Sequence, residues 1–248
     1  MEILPHLFER PPDGLRLGTD EIHIWFSVLN QSVPEINKFY LTLSADERER
    51  AGRFHRYQDK RRFIVRHGIL RMILGCYLDV EPGELRFKEG ENGKPEIDGS
   101  FTKRTLQFNL SHSQGVALFA FTQNYDIGVD IEHIHDFPEM DQIVERFFSV
   151  KEKAAYQLSS VSQRRETFFK GWTCKEAFIK AIGNGLSQPL RSFDVSMAPG
   201  ESSELLGIEG DLRETARWSI HNMEPIPNYA GALAVRSKLL KLKCWQWK

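Results

Sequence analysis

No apolar run in the 248 residues approaches the ~20 needed for a helix to cross a bilayer, which excludes a membrane-spanning helix. The opening stretch MEILPHLFERPPDG carries acids and prolines where a secretory signal needs a basic end and an apolar core. There are three cysteines, Cys76, Cys174 and Cys244, with no CxxC and no Cys/His grouping, which excludes a disulfide framework and a sequence-evident zinc site. A soluble, cytoplasmic protein in a reducing compartment is expected. Net charge is also nearly absent: 33 Lys and Arg face 34 Asp and Glu, giving −1, so no global field draws the chain to nucleic acid or an anionic membrane. Internal repeats and low-complexity segments are missing too. What is present is an ordinary globular composition, 41% hydrophobic and 27% charged.

EIHIWFSVL (21–29) alternates well enough for a strand, ended by 30–34. Ser44 and Glu47 in SADE have capping-box spacing and predict a helix start. From Arg48 to Arg71 there are nine Lys or Arg and two acids, the one basic stretch of the chain. ENGKPEI (91–97) reads as a turn feeding an extended segment, followed by strands at LQFNLSHS, GVALFAFT and YDIGVDIEHI. A second capping box, Ser149 with Glu152, starts a helix, and a longer helix is expected from about Arg164 to Ile182, ended by Gly183 and Gly185. SFDVSM, RWSIHNM and YAGALAV are further strand candidates. The mixture implies an α+β fold in three layers or two lobes.

Three acids stand out. At about 100° per residue, Glu176 of GWTCKEAFIKAIGNG projects between Trp172 and Phe169, on the side of the helix expected to be buried with Phe168 and Ile179. An i,i+4 ion pair with Lys180 would explain an exposed glutamate, but a carboxylate beside Trp172 needs stronger compensation. In IGVDIEH the period of two sends Val129 and Ile131 to one face and Asp130 and Glu132 to the other. They would be the wet side of a strand, except that acids are depleted in strands and two of them roughly 7 Å apart repel unless a cation covers them. A hard cation such as Mg²⁺, held by Asp130, Glu132 and a third acid such as Glu176, meets that need at a phosphate site.

Candidates for phosphate contact are individually ordinary. Ser111 and His112 sit at a strand end, where such residues commonly satisfy a turn. Lys94 is fixed between Gly93 and Pro95, and the cations around Arg50, Arg53 and Arg62 form a solvated helix face from which an anionic nucleotide can use one or two.

The order GKP, FNLSHS, GVDIE, RFFS with a glutamate three residues on, then WTCKEAFIKAIGNGL, resembles the 4'-phosphopantetheinyl transferases of the Sfp type. These motifs run from about Arg50 to Leu190. The resemblance implies transfer of phosphopantetheine from coenzyme A to a serine of an apo acyl or peptidyl carrier protein, releasing 3',5'-ADP. It places the metal ligands on Asp130, Glu132 and Glu176, the general base on Glu176, and the group facing the leaving phosphate on Lys180. It places coenzyme A contacts on Arg50, Arg53, Arg62, Lys94, Ser111, His112 and Lys180, with His112 at the 3'-phosphate. It implies a monomer of two pseudo-symmetric α/β lobes, residues 1–127 and 128–248, with the active site between them. An acidic carrier helix would dock beside 133–149, where Ile134, Phe137, Met140 and Phe147 are apolar contacts or core. The chain departs from the pattern at Phe63, where several relatives have a nucleotide-contacting threonine; a backbone contact or a register displaced by one residue would account for it. The longer N-terminal segment is given no role. Without the resemblance, a Mg²⁺-dependent hydrolase of a nucleotide diphosphate would fit the same acids. A nucleic-acid module using Arg48 to Arg71 fits poorly, since the three acids would repel a polyanion.

Overall fold

The computed structural model describes residues 3–90, 93–99, 106–183, 188–198, 202–208 and 210–248. Asn92 of the expected turn and Gly185 of the expected helix stop lie outside the described residues.

The first strand, β1 (Glu21–Val28), leads into α1 (Val33–Thr42), a helix the sequence reading passed over. Its Pro34 lies in the first turn, where a missing amide costs nothing. The Ser44 box opens α2 (Ala45–Gly52): the Ser44 hydroxyl accepts from the Glu47 amide at 3.2 Å, and the Glu47 carboxylate accepts from the Ser44 amide at 2.9 Å. The basic stretch is thus split between α2 and the long α3 (Tyr57–Leu78), with a corner at 53–56. A small hairpin, β2 (Phe87–Glu89) and β3 (Pro95–Ile97), precedes β4 (Leu106–Ser113) and β5 (Val116–Gln123). Gln114 and Gly115 both have positive φ, which lets the β4–β5 hairpin turn in two residues. Next come β6 (Ile127–His133), α4 (Met140–Phe147), α5 (Val150–Leu158) and α6 (Arg164–Ile182). The Ser149–Glu152 box caps α5, and Gly183, at φ 71°, ends α6. The chain continues through β7 (Phe193–Val195), β8 (Leu205–Ile208), α7 (Leu212–Thr215), β9 (Ser219–Met223), β10 (Tyr229–Val235) and β11 (Lys241–Gln246).

Two sheets carry the fold. One has the order β11-β1-β5-β4, the other β6-β10-β9. The first packs one face on α1 and α3 through Trp25, Phe119 and Phe121 against Ile36, Phe39 and Ile69. Its other face lies on the second sheet, with Ile22, Ile24, Leu118 and Ala120 meeting Ile127, Val129, Ile131 and Leu233. Beyond the second sheet, Cys174, Ala177 and Phe178 of α6 pack on Ile220, Ala232 and Ala234. The stack is therefore helix, sheet, sheet, helix. This explains why β1 is buried from Ile22 to Phe26 on both sides instead of alternating wet and dry. His23, fully buried there, is satisfied by the Tyr77 hydroxyl at 2.7 Å and the Glu21 carboxylate at 3.0 Å.

The ends of the chain cross between the sheets. β11 pairs in parallel with β1, so the last strand belongs to the first sheet, and sequence pattern alone did not mark it. Ile3 donates to the Asn222 carbonyl at 2.8 Å and accepts from the Glu224 amide at 2.8 Å, so the N-terminal segment extends the second sheet at β9. Glu9 bonds in the same way along β11, accepting from Gln246 at 2.7 Å. The segment left without a role thereby fastens both sheets.

Candidate active site

β4 and β6 are edge strands of different sheets, and their meeting line is bridged by side chains. At the period of two, Asn109, Ser111 and Ser113 of β4 all face β6. Asn109 Oδ1 accepts from the Val129 amide at 2.9 Å, Ser111 Oγ donates to Asp130 Oδ1 at 2.8 Å, and Ser113 Oγ donates to Glu132 Oε2 at 2.8 Å. Ser113 Oγ also accepts from the His133 amide at 3.1 Å. Of these three, the sequence reading singled out only Ser111; the N-x-S-x-S spacing held the signal for the others.

On its other side β6 lies against α6. Gly128 sets that distance, since a Cβ there would run into the Ala177 carbonyl and the Ala181 amide. The close approach brings Glu176 and Lys180 beside Asp130 and Glu132. Lys180 Nζ donates to Asp130 Oδ1 at 2.6 Å and to Ser111 Oγ at 3.1 Å. Among the described residues it forms no ion pair with Glu176, so the i,i+4 pairing that the sequence permits is not the contact made. Asp130 is 2% exposed, and its Oδ2 is buried with no hydrogen-bond partner. An orphaned carboxylate oxygen in that setting costs several kcal/mol unless a cation reaches it.

The acids open onto a cavity of about 400 Å³, whose wall also holds Arg66, His112 and Trp172. Burial and the neighbouring Asp130 raise the pKa of Glu132, and the same two causes raise that of Glu176. Both carboxylates hold protons more tightly than usual and gain from a positive charge between them. His112 is pushed down to about 4 by burial and by Arg66, Lys180 and Arg62, so at neutral pH its imidazole is uncharged. Among the described residues, no three acids, cysteines or histidines are gathered as a ready ligand set; Asp130 has Lys180 on one oxygen instead.

The other expected contacts are spread around this cavity. Arg50 lines an adjoining cavity of roughly 510 Å³ with Phe63 and His67. Lys94 turns its ammonium to the carbonyls of Ile127 and Lys180, both at 3.0 Å, and so straps the β2–β3 hairpin to β6 and α6. Arg62 rests over the Gly115 turn with its Nε 3.3 Å from Asn30 Oδ1. Arg53 is exposed and paired with Glu49. Neither Lys94, Arg62 nor Arg53 lines the carboxylate cavity. Arg66, which does line it, was not singled out from the basic stretch, although it shares a helix face with Arg62 and Phe63.

α6 departs from a helix with one apolar side. Lys175, adjacent to Glu176, is fully buried and donates to the carbonyls of Leu190 (2.7 Å) and Phe193 (2.9 Å), while pairing with Glu152 at 2.8 Å. Trp172 stacks on Phe168 with the rings 12° apart and meets Phe147 edge-on. Ile134, Phe137, Met140 and Phe147 are all half-buried around Phe168 and Phe169.

Residues 126–234 match the family described as the 4'-phosphopantetheinyl transferase superfamily, and residues 30–124 match the 4'-phosphopantetheinyl transferase N-terminal family. The 4'-phosphopantetheinyl transferase HetI of a Nostoc species is 35% identical over 99% of this chain and 100% of its own length. The 4'-phosphopantetheinyl transferase Sfp of Bacillus subtilis is 32% identical over 67% of this chain and 71% of its own. Among solved structures, the ACPS-CoA complex of Chronobacterium ammoniagenes aligns with a TM-score of 0.36 and 22% identity, over 47% of this chain and 99% of that one.

Proposed function

Because the chain belongs to the 4'-phosphopantetheinyl transferase superfamily, we propose that the cavity between β4, β6 and α6 is its reaction centre, with the residues there in the following roles. The enzyme transfers the 4'-phosphopantetheine group of coenzyme A to a serine hydroxyl of an apo carrier protein. The serine oxygen bonds to the β-phosphorus, the bond from that phosphorus to the bridging oxygen breaks, and 3',5'-ADP leaves. Glu176 accepts the serine proton. Its raised proton affinity, from burial and from Asp130, makes it a stronger base than an ordinary carboxylate. Lys180, held by Asp130 and Ser111, keeps an ammonium beside the departing phosphate. Arg50, Arg53, Arg62, Lys94, Ser111 and His112 are the proposed coenzyme A contacts, with Lys94 acting by fixing the β2–β3 hairpin.

A metal fits the residues present. Asp130, Glu132 and Glu176 offer a donor set of oxygen alone, and Asp130 Oδ2 is buried without a partner. These three residues would hold Mg²⁺, which when bound neutralises charge on the diphosphate during transfer. The observation that carries the assignment is that Asp130, Glu132 and Glu176, two of them with raised proton affinity, line one open cavity together with Lys180, whose ammonium pairs with Asp130. A hydrolase acting on a nucleotide diphosphate would share the acids but would release 3',5'-ADP without an acceptor protein.

The test is direct: the protein is incubated with an apo carrier protein, coenzyme A and Mg²⁺, and carrier mass is followed. A phosphopantetheine increment abolished by EDTA is expected, and no increment with carriers from several pathways would sink the assignment. We further propose two lobes, residues 1–127 and 128–248, in a cytoplasmic monomer.

A further inference from the structure

β4 and β6 belong to different sheets, and among the described residues no backbone ladder joins them. Across that line each serine of β4 takes one oxygen of an acid. Ser111 Oγ donates to Asp130 Oδ1, on which Lys180 Nζ also converges, and Ser113 Oγ donates to Glu132 Oε2 at 2.8 Å. Each acid is left with one oxygen to offer. Oδ2 of Asp130 is buried without a partner, and among the described residues no hydrogen bond reaches Oε1 of Glu132.

Ser113 is built as a fixed post. Its hydroxyl accepts from the His133 amide at 3.1 Å, and an ionised carboxylate can only accept, so its single proton goes to Glu132. Its backbone is set without help from β6. Ser113 is the last residue of β4 and pairs with Val116 across a turn in which Gln114 and Gly115 have positive φ, and the Gly115 carbonyl accepts from the Leu29 amide at 2.7 Å. Glu132 is half-buried, and the terminal torsion of a glutamate is broad, so nothing in its own side chain decides which oxygen faces the cavity. A donor anchored on the other sheet does decide it, as supporting groups around metal sites do when they orient a ligand.

We propose that Ser113 is a positioning residue for the divalent cation: it holds Glu132 by Oε2 and thereby presents Oε1 to the metal that Asp130, Glu132 and Glu176 would bind. This rests on the metal reading of those three acids. It makes the site depend on both sheets, since the ligand stands on β6 and the group that aims it stands on β4. A serine that only satisfied the His133 amide would leave cation affinity alone.

The experiment uses Mn²⁺ as the probe and measures its binding to the full chain by electron paramagnetic resonance, without and with 3',5'-ADP. The proteins are the wild type, Ser113→Ala, Ser113→Thr, Glu132→Gln and the double variant Ser113→Ala with Glu132→Gln. Removing a group that orients a metal ligand is expected to weaken Mn²⁺ binding about 10–100-fold in Ser113→Ala. Ser113→Thr, which keeps the hydroxyl, should bind as the wild type does. In the Glu132→Gln background the alanine change should add little, because the residue it acts through is already gone. Ser113→Cys, of similar shape but a weak donor, stands in if the alanine variant does not fold. Unchanged affinity in Ser113→Ala, or an equal loss with and without Glu132, overturns the proposal. A wild type that binds no Mn²⁺ in either condition removes the metal reading and this proposal together. A wild type that binds Mn²⁺ in the expected pattern but modifies no carrier protein would instead refute the transferase reading and leave this one standing.

Discussion

Lys180 reaches across to Asp130, with 2.6 Å between Nζ and Oδ1, and leaves Glu176, one helical turn before it, without an ion-pair partner among the described residues. The lysine thus serves β6, and the glutamate stays open to the cavity.

Replacing Lys180 by Met should remove the cation from Asp130 and from the leaving phosphate together. A loss of about 10²-fold or more in kcat is expected. Thermal unfolding with and without Mg²⁺ separates the effects: Mg²⁺ should raise the midpoint of the wild type and of Lys180→Met, but not of Asp130→Asn. A midpoint that ignores Mg²⁺ in all three proteins would argue against the metal site.

Glu176→Gln should lower kcat by roughly 10²–10⁴-fold while the protein still folds, because the amide keeps the shape and loses the base. The pH profile gives a second readout. Glu176 acts deprotonated; burial and Asp130 raise its pKa in the metal-free protein and a bound Mg²⁺ would oppose that rise, so the acid limb of kcat/KM should move to lower pH as Mg²⁺ is increased. The limb should be absent from the residual activity of Glu176→Gln.

How much of this was legible beforehand differs by residue. Asp130 and Glu132 were visible because a strand's period of two forces them onto one face, and both capping boxes are local patterns that survive folding unchanged. The contact of Lys180 with Asp130 was not visible, since that partner lies 50 residues away and helix spacing suggested Glu176. β11 escaped notice because KLKCWQ gains its strand character only by pairing with β1. The burial of α6 on several sides was missed because Lys175 reads as a surface residue until Glu152 and two carbonyls surround it.

That buried pair gives a stability prediction. Lys175 and Glu152 are 0% and 1% exposed, and the Glu152 carboxylate also accepts from the amides of Val195 and Ser149. Lys175→Met or Glu152→Leu alone should each cost about 3–5 kcal/mol by leaving a charge unpaired, and the double variant should cost clearly less than the sum. Urea unfolding of the four proteins measures the coupling; strict additivity would contradict it.

His67 supplies the pH dependence of stability. Burial and Arg66 lower its pKa from 6.5 to about 3, so the native state keeps the ring neutral. Below pH 6.5 the unfolded chain takes up a proton that the folded chain refuses. Stability therefore falls as pH drops from 6.5 towards 3, by at most ~1.4 kcal/mol per pH unit for this group. Urea titrations at several pH values should show a shallower slope for His67→Gln than for the wild type, and parallel slopes would rule out this contribution.

The crossing of the chain ends has a consequence for dividing the molecule. A cut in the 124–126 segment would leave a front piece without its fourth strand and a back piece without Ile3, each with an unpaired strand edge and uncovered core. Neither piece is then a miniature of the whole. Co-expressed, the two should knit together into an active dimer of fragments, held by the same clasp that in the intact chain ties each end to the opposite sheet.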